Sequence, residues 1–139
     1  MNDPHHLQRF VEAQDRVFEQ ALSELRGGRK ASHWMWFIFP QIEGLGQSET
    51  ARKFPIASRA EAEAYLRHPA LGPRLRECAR LVCRVEGRSA RQIFGAPDDA
   101  KFRSSMTLFA AVAPAEEVFT AALQKYFGGQ ADALTLERL

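Results

Sequence analysis

The stretch Ser32-His33-Trp34-Met35-Trp36-Phe37-Ile38-Phe39-Pro40-Gln41 concentrates the chain's most distinctive chemistry, two tryptophans beside a histidine within ten residues. Indole faces stack on planar ligands such as nucleobases. An imidazole can donate, accept or shuttle a proton. If the stretch is helical, Trp34, Phe37 and Ile38 share one face, while His33, Trp36 and Pro40 turn toward another. One set would then fill the core and the other line a cleft. The competing reading is that all these aromatics are core, their polar atoms satisfied internally.

A second candidate lies at Asp98-Asp99-Ala100-Lys101-Phe102-Arg103-Ser104-Ser105-Met106-Thr107. With Phe102, Met106 and Phe109 facing inward, helical spacing puts Lys101, Ser104 and Ser105 on one adjoining face. A cation beside two hydroxyls, near a helix start, suits an anionic or sugar-like ligand. Lys101 or Arg103 would be the anion contact, with Trp36, Gln41, Ser104 and Ser105 completing the ligand set. A lysine-activated serine can also be drawn from these residues, but no oxyanion hole accompanies it. Plain surface solvation and capping are the alternative account.

Other patterns carry less. Arg76, Arg80, Arg84 and Arg88 recur every fourth residue, in a segment where seven arginines from Arg67 to Arg91 face two acids, Glu77 and Glu86. Such a stripe grips phosphates in some proteins. Here the interrupting glutamates, the absence of interleaved aromatics and a net charge of +2 argue against a nucleic-acid partner. Gly44-Leu45-Gly46 lacks the third glycine and lysine of a phosphate loop and reads as a turn. The four histidines and two cysteines show no zinc spacing, so no metal or cofactor is called for. Cys78 and Cys83, five apart on one helix, point apart and read as unpaired thiols.

The elements that must position these groups are helices. Asp3-Pro4 opens the first. Val17, Phe18, Ala21, Leu22 and Leu25 continue a helical pattern to Gly27-Gly28, with a break near Asp15. Trp34 to Phe39 favours a helix ended by Pro40. Ser48 caps a short helix reaching Phe54. Ser58-x-x-Glu61 and Ser89-x-x-Gln92 are capping boxes. Leu71, Leu75, Cys78, Ala79, Val82 and Val85 make the clearest amphipathic helix. Asp98 or Asp99 caps a helix to Ala113, and Val118 to Phe127 forms another. The tail from Asp132 supplies a last turn. With no convincing strands, the 139 residues read as a single all-α domain of about six to eight irregularly packed helices. No run approaches a membrane span and the N-terminus is not signal-like, which predicts a cytoplasmic protein.

The run from Ser32 to Gln41, the Gly44-Leu45-Gly46 turn, Ala64-Tyr65-Leu66-Arg67-His68-Pro69, and Lys101 through Phe109 together resemble the domain-of-unknown-function 1810 family. The resemblance spans nearly the whole chain without a clear departure from the family pattern. It implies a mainly helical fold in small, mostly bacterial proteins, and no reaction or catalytic residue to carry over. From the residues themselves, the expectation is a small-ligand site, for a nucleotide or another phosphate-bearing metabolite. It would lie between the His33–Gln41 segment and the Lys101–Ser105 face. If it is an enzyme, His33 is the acid/base candidate. The alternative is a non-enzymatic structural or protein-interaction module whose aromatics are core. The test between them is spatial, because His33, Ser104 and Ser105 should line one solvent-accessible cleft and His33 should face Lys101.

Overall fold

The computed structural model describes residues 3–45 and 53–139. Nine helices form among the described residues: α1 (Gln8–Asp15), α2 (Phe18–Arg26), α3 (Met35–Ile38), α4 (Arg59–Arg67) and α5 (Leu71–Arg84), then α6 (Ala90–Phe94), α7 (Asp98–Val112), α8 (Glu117–Phe127) and α9 (Ala133–Glu137). The one β feature described is an isolated parallel bridge between Ile42 and Ile56. Ile56 N–H donates to the Gln41 carbonyl and Glu43 N–H to the Ile56 carbonyl, both at 2.8 Å. The expected helix from Ser48 to Phe54 lies largely outside the described residues.

The local signals act as their chemistry requires. The Asp3 carboxylate accepts from the Leu7 and Gln8 N–H groups ahead of α1. Ser89 and Gln92 complete a reciprocal capping box on α6. At α4 the box is half formed. Ser58 Oγ accepts from Glu61 N–H, but the Glu61 carboxylate accepts from Ala57 N–H and pairs with Arg9 at 2.9 Å, tying α1 to α4. At α7 the capping expectation fails, since Pro97 occupies the cap position and Asp98 and Asp99 fall inside the first turn.

Helix α7 is the hub of the domain. It packs against α3, α4, α6, α8 and α9. From Ser104 to Phe109 every residue is buried. A helix surrounded this way has no polar face, which is why Ser105 and Thr107 are buried along with Phe102, Met106, Leu108 and Phe109. Helix α5 shows the opposite, a one-sided apolar stripe of Leu71, Leu75, Cys78, Ala79 and Val82 turned inward. Cys78 and Cys83 are both free.

Aromatic side chains join the elements. The Phe102 ring meets Phe39 edge-on at 4.9 Å and stacks on Phe94 at 4.7 Å, linking the end of α3, α6 and α7. Phe10 packs edge-on against Tyr65 at 5.3 Å, and Tyr65 contacts Phe109 at 5.5 Å. Gln14 is fully buried among them. Its amide donates to the Phe37 carbonyl at 2.6 Å and to the Tyr65 hydroxyl at 2.8 Å. Burial drives the Tyr65 phenol well above its ordinary pKa.

Phe102 is wholly buried at the centre of this cluster, so Phe102→Ala is expected to lower unfolding free energy by about 3–5 kcal/mol. Urea unfolding of the variant reads this directly. A loss below about 1 kcal/mol would show that the ring cluster does not hold α3, α6 and α7 together.

Candidate functional site

The aromatic segment owes its placement to a carboxylate that the sequence reading passed over. Glu24 sits on the inward face of α2 between Leu22 and Leu25 and is 8% exposed. Its carboxylate accepts from Ala31 N–H at 2.7 Å, Ser32 N–H at 2.9 Å, Trp34 Nε1–H at 2.9 Å and the Gln20 amide at 2.8 Å, and also from the Ser32 hydroxyl. Burial alone would raise its pKa. The Ser32, Ala31 and Gln20 donors outweigh that and pull it from 4.5 to about 2. Glu24 therefore clamps residues 31–34 and sends the Trp34 indole into the core. The available signal was a glutamate at a core-facing helical position, which requires buried donors.

With Trp34 held inward, the next turn divides as the spacing predicts. Trp34, Met35, Ile38 and Phe39 are buried, Trp36 and Phe37 half-buried, and His33 exposed. Pro40 departs from the expected division and is buried. His33 and Trp36 line a cleft of about 300 Å³ with Lys30, Asp98 and Lys101. Lys101 Nζ lies 4.1 Å from the centroid of the Trp36 ring, a cation–π contact. Lys30 is positioned through its backbone N–H, which donates to the Ile93 carbonyl at 2.7 Å.

Asp98 joins the two ammonium groups. Its carboxylate oxygens pair with Lys30 at 2.8 Å and Lys101 at 3.1 Å. Burial would raise the Asp98 pKa, but the hydrogen bonds and charges of Lys30 and Lys101 hold it below the usual carboxylate range. Two lysines against one aspartate leave an excess of one positive charge in the cleft. The start of α7 adds nothing to anion binding. Asp99 N–H donates to the Gly95 carbonyl, Ala100 and Lys101 N–H groups donate to the Pro97 carbonyl, and two carboxylates occupy the first turn. The positive character comes from side chains.

A second cleft of about 360 Å³ shares Trp36 and Lys101 with the first and adds Gln41, Leu45, Ser104 and Leu134 among its walls. Asp132 also lines it. The single Ser104 O–H is shared between the Ala100 carbonyl and the Asp132 carboxylate, each 3.1 Å from Oγ, and Asp132 caps α9 through Thr135 N–H.

The expected constellation is thus assembled in part. His33, Trp36 and Lys101 meet at one cleft, and Trp36, Gln41, Lys101 and Ser104 at its neighbour. Two expected residues are elsewhere. Ser105 is fully buried with its hydroxyl unpartnered, because the core surrounds α7 at that turn. Arg103 is anchored by Nε–H to the Gln130 carbonyl at 2.9 Å and by a second donor to the Ala131 carbonyl, its guanidinium 5.7 Å from the Phe127 ring. It braces the α8–α9 connection. In the arginine row, Arg76 pairs with Glu116, while Arg80 and Arg84 line a shallow groove that also carries Glu116 and Glu117.

A model of the family described as "Protein of unknown function (DUF1810)" matches residues 4–139, and the chain belongs to that family. Among solved structures, the chain is similar to the conserved hypothetical protein Rv1873 from Mycobacterium tuberculosis. The two are 54% identical, with a TM-score of 0.97 over 99% of this chain and 98% of the other. That bacterial relative carries the same all-α architecture. No curated protein matches the chain. Among the described residues no group of histidine, cysteine and acidic side chains forms a metal site, and no helix is long and apolar enough to cross a membrane.

Glu24→Gln places an amide donor among the N–H and O–H donors, and at pH 7 it is expected to cost roughly 2–3 kcal/mol. Because the folded pKa is depressed, the carboxylate's contribution is complete above pH 4.5 and is lost as pH falls toward 2. The wild-type advantage over Glu24→Gln in urea unfolding should therefore shrink between pH 5 and pH 3. An advantage that stays constant across that range would contradict the clamp.

Proposed function

We propose that this domain binds a small anionic metabolite, a nucleotide or another phosphate-bearing compound, in the cleft between α3 and the first turn of α7. One observation carries the reading: His33, Trp36, Lys30 and Lys101 converge on the same 300 Å³ cleft although they come from segments some 65 residues apart. That volume falls at the small end of ligand sites. A half-buried indole, an exposed imidazole and a net positive charge are the mixture that recognises an anion attached to an organic body. The anion would meet Lys101, whose ammonium is already held by Asp98 and Trp36 and so loses little freedom on binding. An acid/base step, if binding leads to reaction, would fall to His33 in the same cleft. A reducing, cytoplasmic setting belongs to this reading and suits the free thiols of Cys78 and Cys83.

Thermal unfolding against a panel of nucleotides and phosphorylated metabolites tests it. A ligand at 100 times its Kd should stabilise the wild type by about 2.7 kcal/mol. Lys101→Ala should remove most of that shift, and His33→Ala and Trp36→Ala should reduce it. The reading fails if no panel member shifts the wild type, or if Lys101→Ala responds as the wild type does.

A further inference from the structure

We infer that the two clefts are subsites for one ligand, the His33 side taking its anionic group and the Gln41 side a planar group that presents adjacent hydrogen-bond donor and acceptor atoms, as a nucleobase edge does. This rests on the proposed anion site and specifies what is attached to the anion.

The second cleft has its own indication of a ligand. Gln41 is 7% exposed, and its carboxamide makes no hydrogen bond among the described residues. Its amide atoms are not sealed in the core but reach the cleft, where a ligand can pair with them. The Ser105 hydroxyl, by contrast, is the one buried side-chain polar atom without a partner among the described residues, and it is sealed in the core away from both clefts. The Gln41 backbone is held by the bridge to Ile56, so its amide is presented from a fixed point. One carboxamide offers an acceptor and a donor side by side, the arrangement that pairs with a base edge.

Charge divides the two clefts. Lys101 belongs to both. On the His33 side it is joined by Lys30 and Asp98, leaving an excess positive charge. On the Gln41 side the lining charge besides Lys101 is the Asp132 carboxylate, which would repel a phosphate. A neutral group with an exocyclic amine suits that side, where Asp132 and the Gln41 carbonyl can accept. The apolar walls at Trp36, Leu45, Pro97 and Leu134 suit the faces of a flat ring.

Calorimetric titration with the four common nucleoside 5′-monophosphates, their nucleosides and ribose 5-phosphate tests the division. At least one monophosphate should bind ten-fold or more tightly than ribose 5-phosphate. Gln41→Leu should abolish that preference while leaving ribose 5-phosphate binding unchanged, and Lys101→Met should weaken both. Ala100→Phe fills the second cleft from an exposed position without altering Gln41, so it gives the same readout should Gln41→Leu lower stability. Ribose 5-phosphate binding as tightly as every monophosphate, or a preference that survives both Gln41→Leu and Ala100→Phe, overturns the inference while leaving the anion site standing. Failure of all probes to bind overturns both.

Discussion

Five hydrogen bonds to one buried carboxylate set the geometry on which the candidate site depends. Glu24 gathers the N–H groups of Ala31 and Ser32, the Ser32 hydroxyl, the Trp34 indole and the Gln20 amide. A buried charge is tolerated only when its acceptor sites are filled, and here the filling groups belong largely to the connection that leads into α3. The clamp therefore decides which way the tryptophan segment faces. With Trp34 committed to the core, the short helix rotates Trp36 toward solvent, and His33 is left outside.

Helix α7 supplies the opposing wall, and it serves two environments along its length. Its first turn is at the surface, where Asp98 and Lys101 interlock with Lys30 and Trp36. One turn later it enters the core, with the Phe102 ring packed on Phe39 and Phe94 beneath the cleft. Because the same aromatic cluster joins α3 to α7, the two cleft walls are fixed by core packing rather than by the polar contacts above it. Such a division keeps the polar groups free to exchange partners without loosening the frame.

Membership of a family of unknown function and a 54% identical hypothetical relative establish the architecture and assign no activity. Function has to be argued from the site. The features that distinguish this site are an ammonium shared between two clefts, a second lysine on one side of it, and on the other a carboxamide with no hydrogen bond among the described residues.

Much of this was legible in one dimension. Helical spacing located the apolar stripe of α5, the Ser89–Gln92 box, and the divided faces of the tryptophan segment, because these depend on neighbours within a turn or two. Residue type marked His33, Trp36 and Lys101 as capable of chemistry, without placing them together. Errors arose where a residue's surroundings come from distant elements. Ser105 looked solvent-facing by spacing, yet helices packed on several sides of α7 bury it. Arg103 looked like an anion contact until the α8–α9 connection brought it two carbonyl acceptors. Glu24 drew no expectation, because its donors at Ala31, Ser32 and Trp34 lie beyond the helix that carries it. What the sequence alone determined was the helical, single-domain character and the residues capable of chemistry, since periodicity and side-chain type are local properties. Which of those residues face a common cleft, and which are consumed by packing, was decided by tertiary structure alone, because burial and hydrogen-bond partnership depend on segments far apart in the chain.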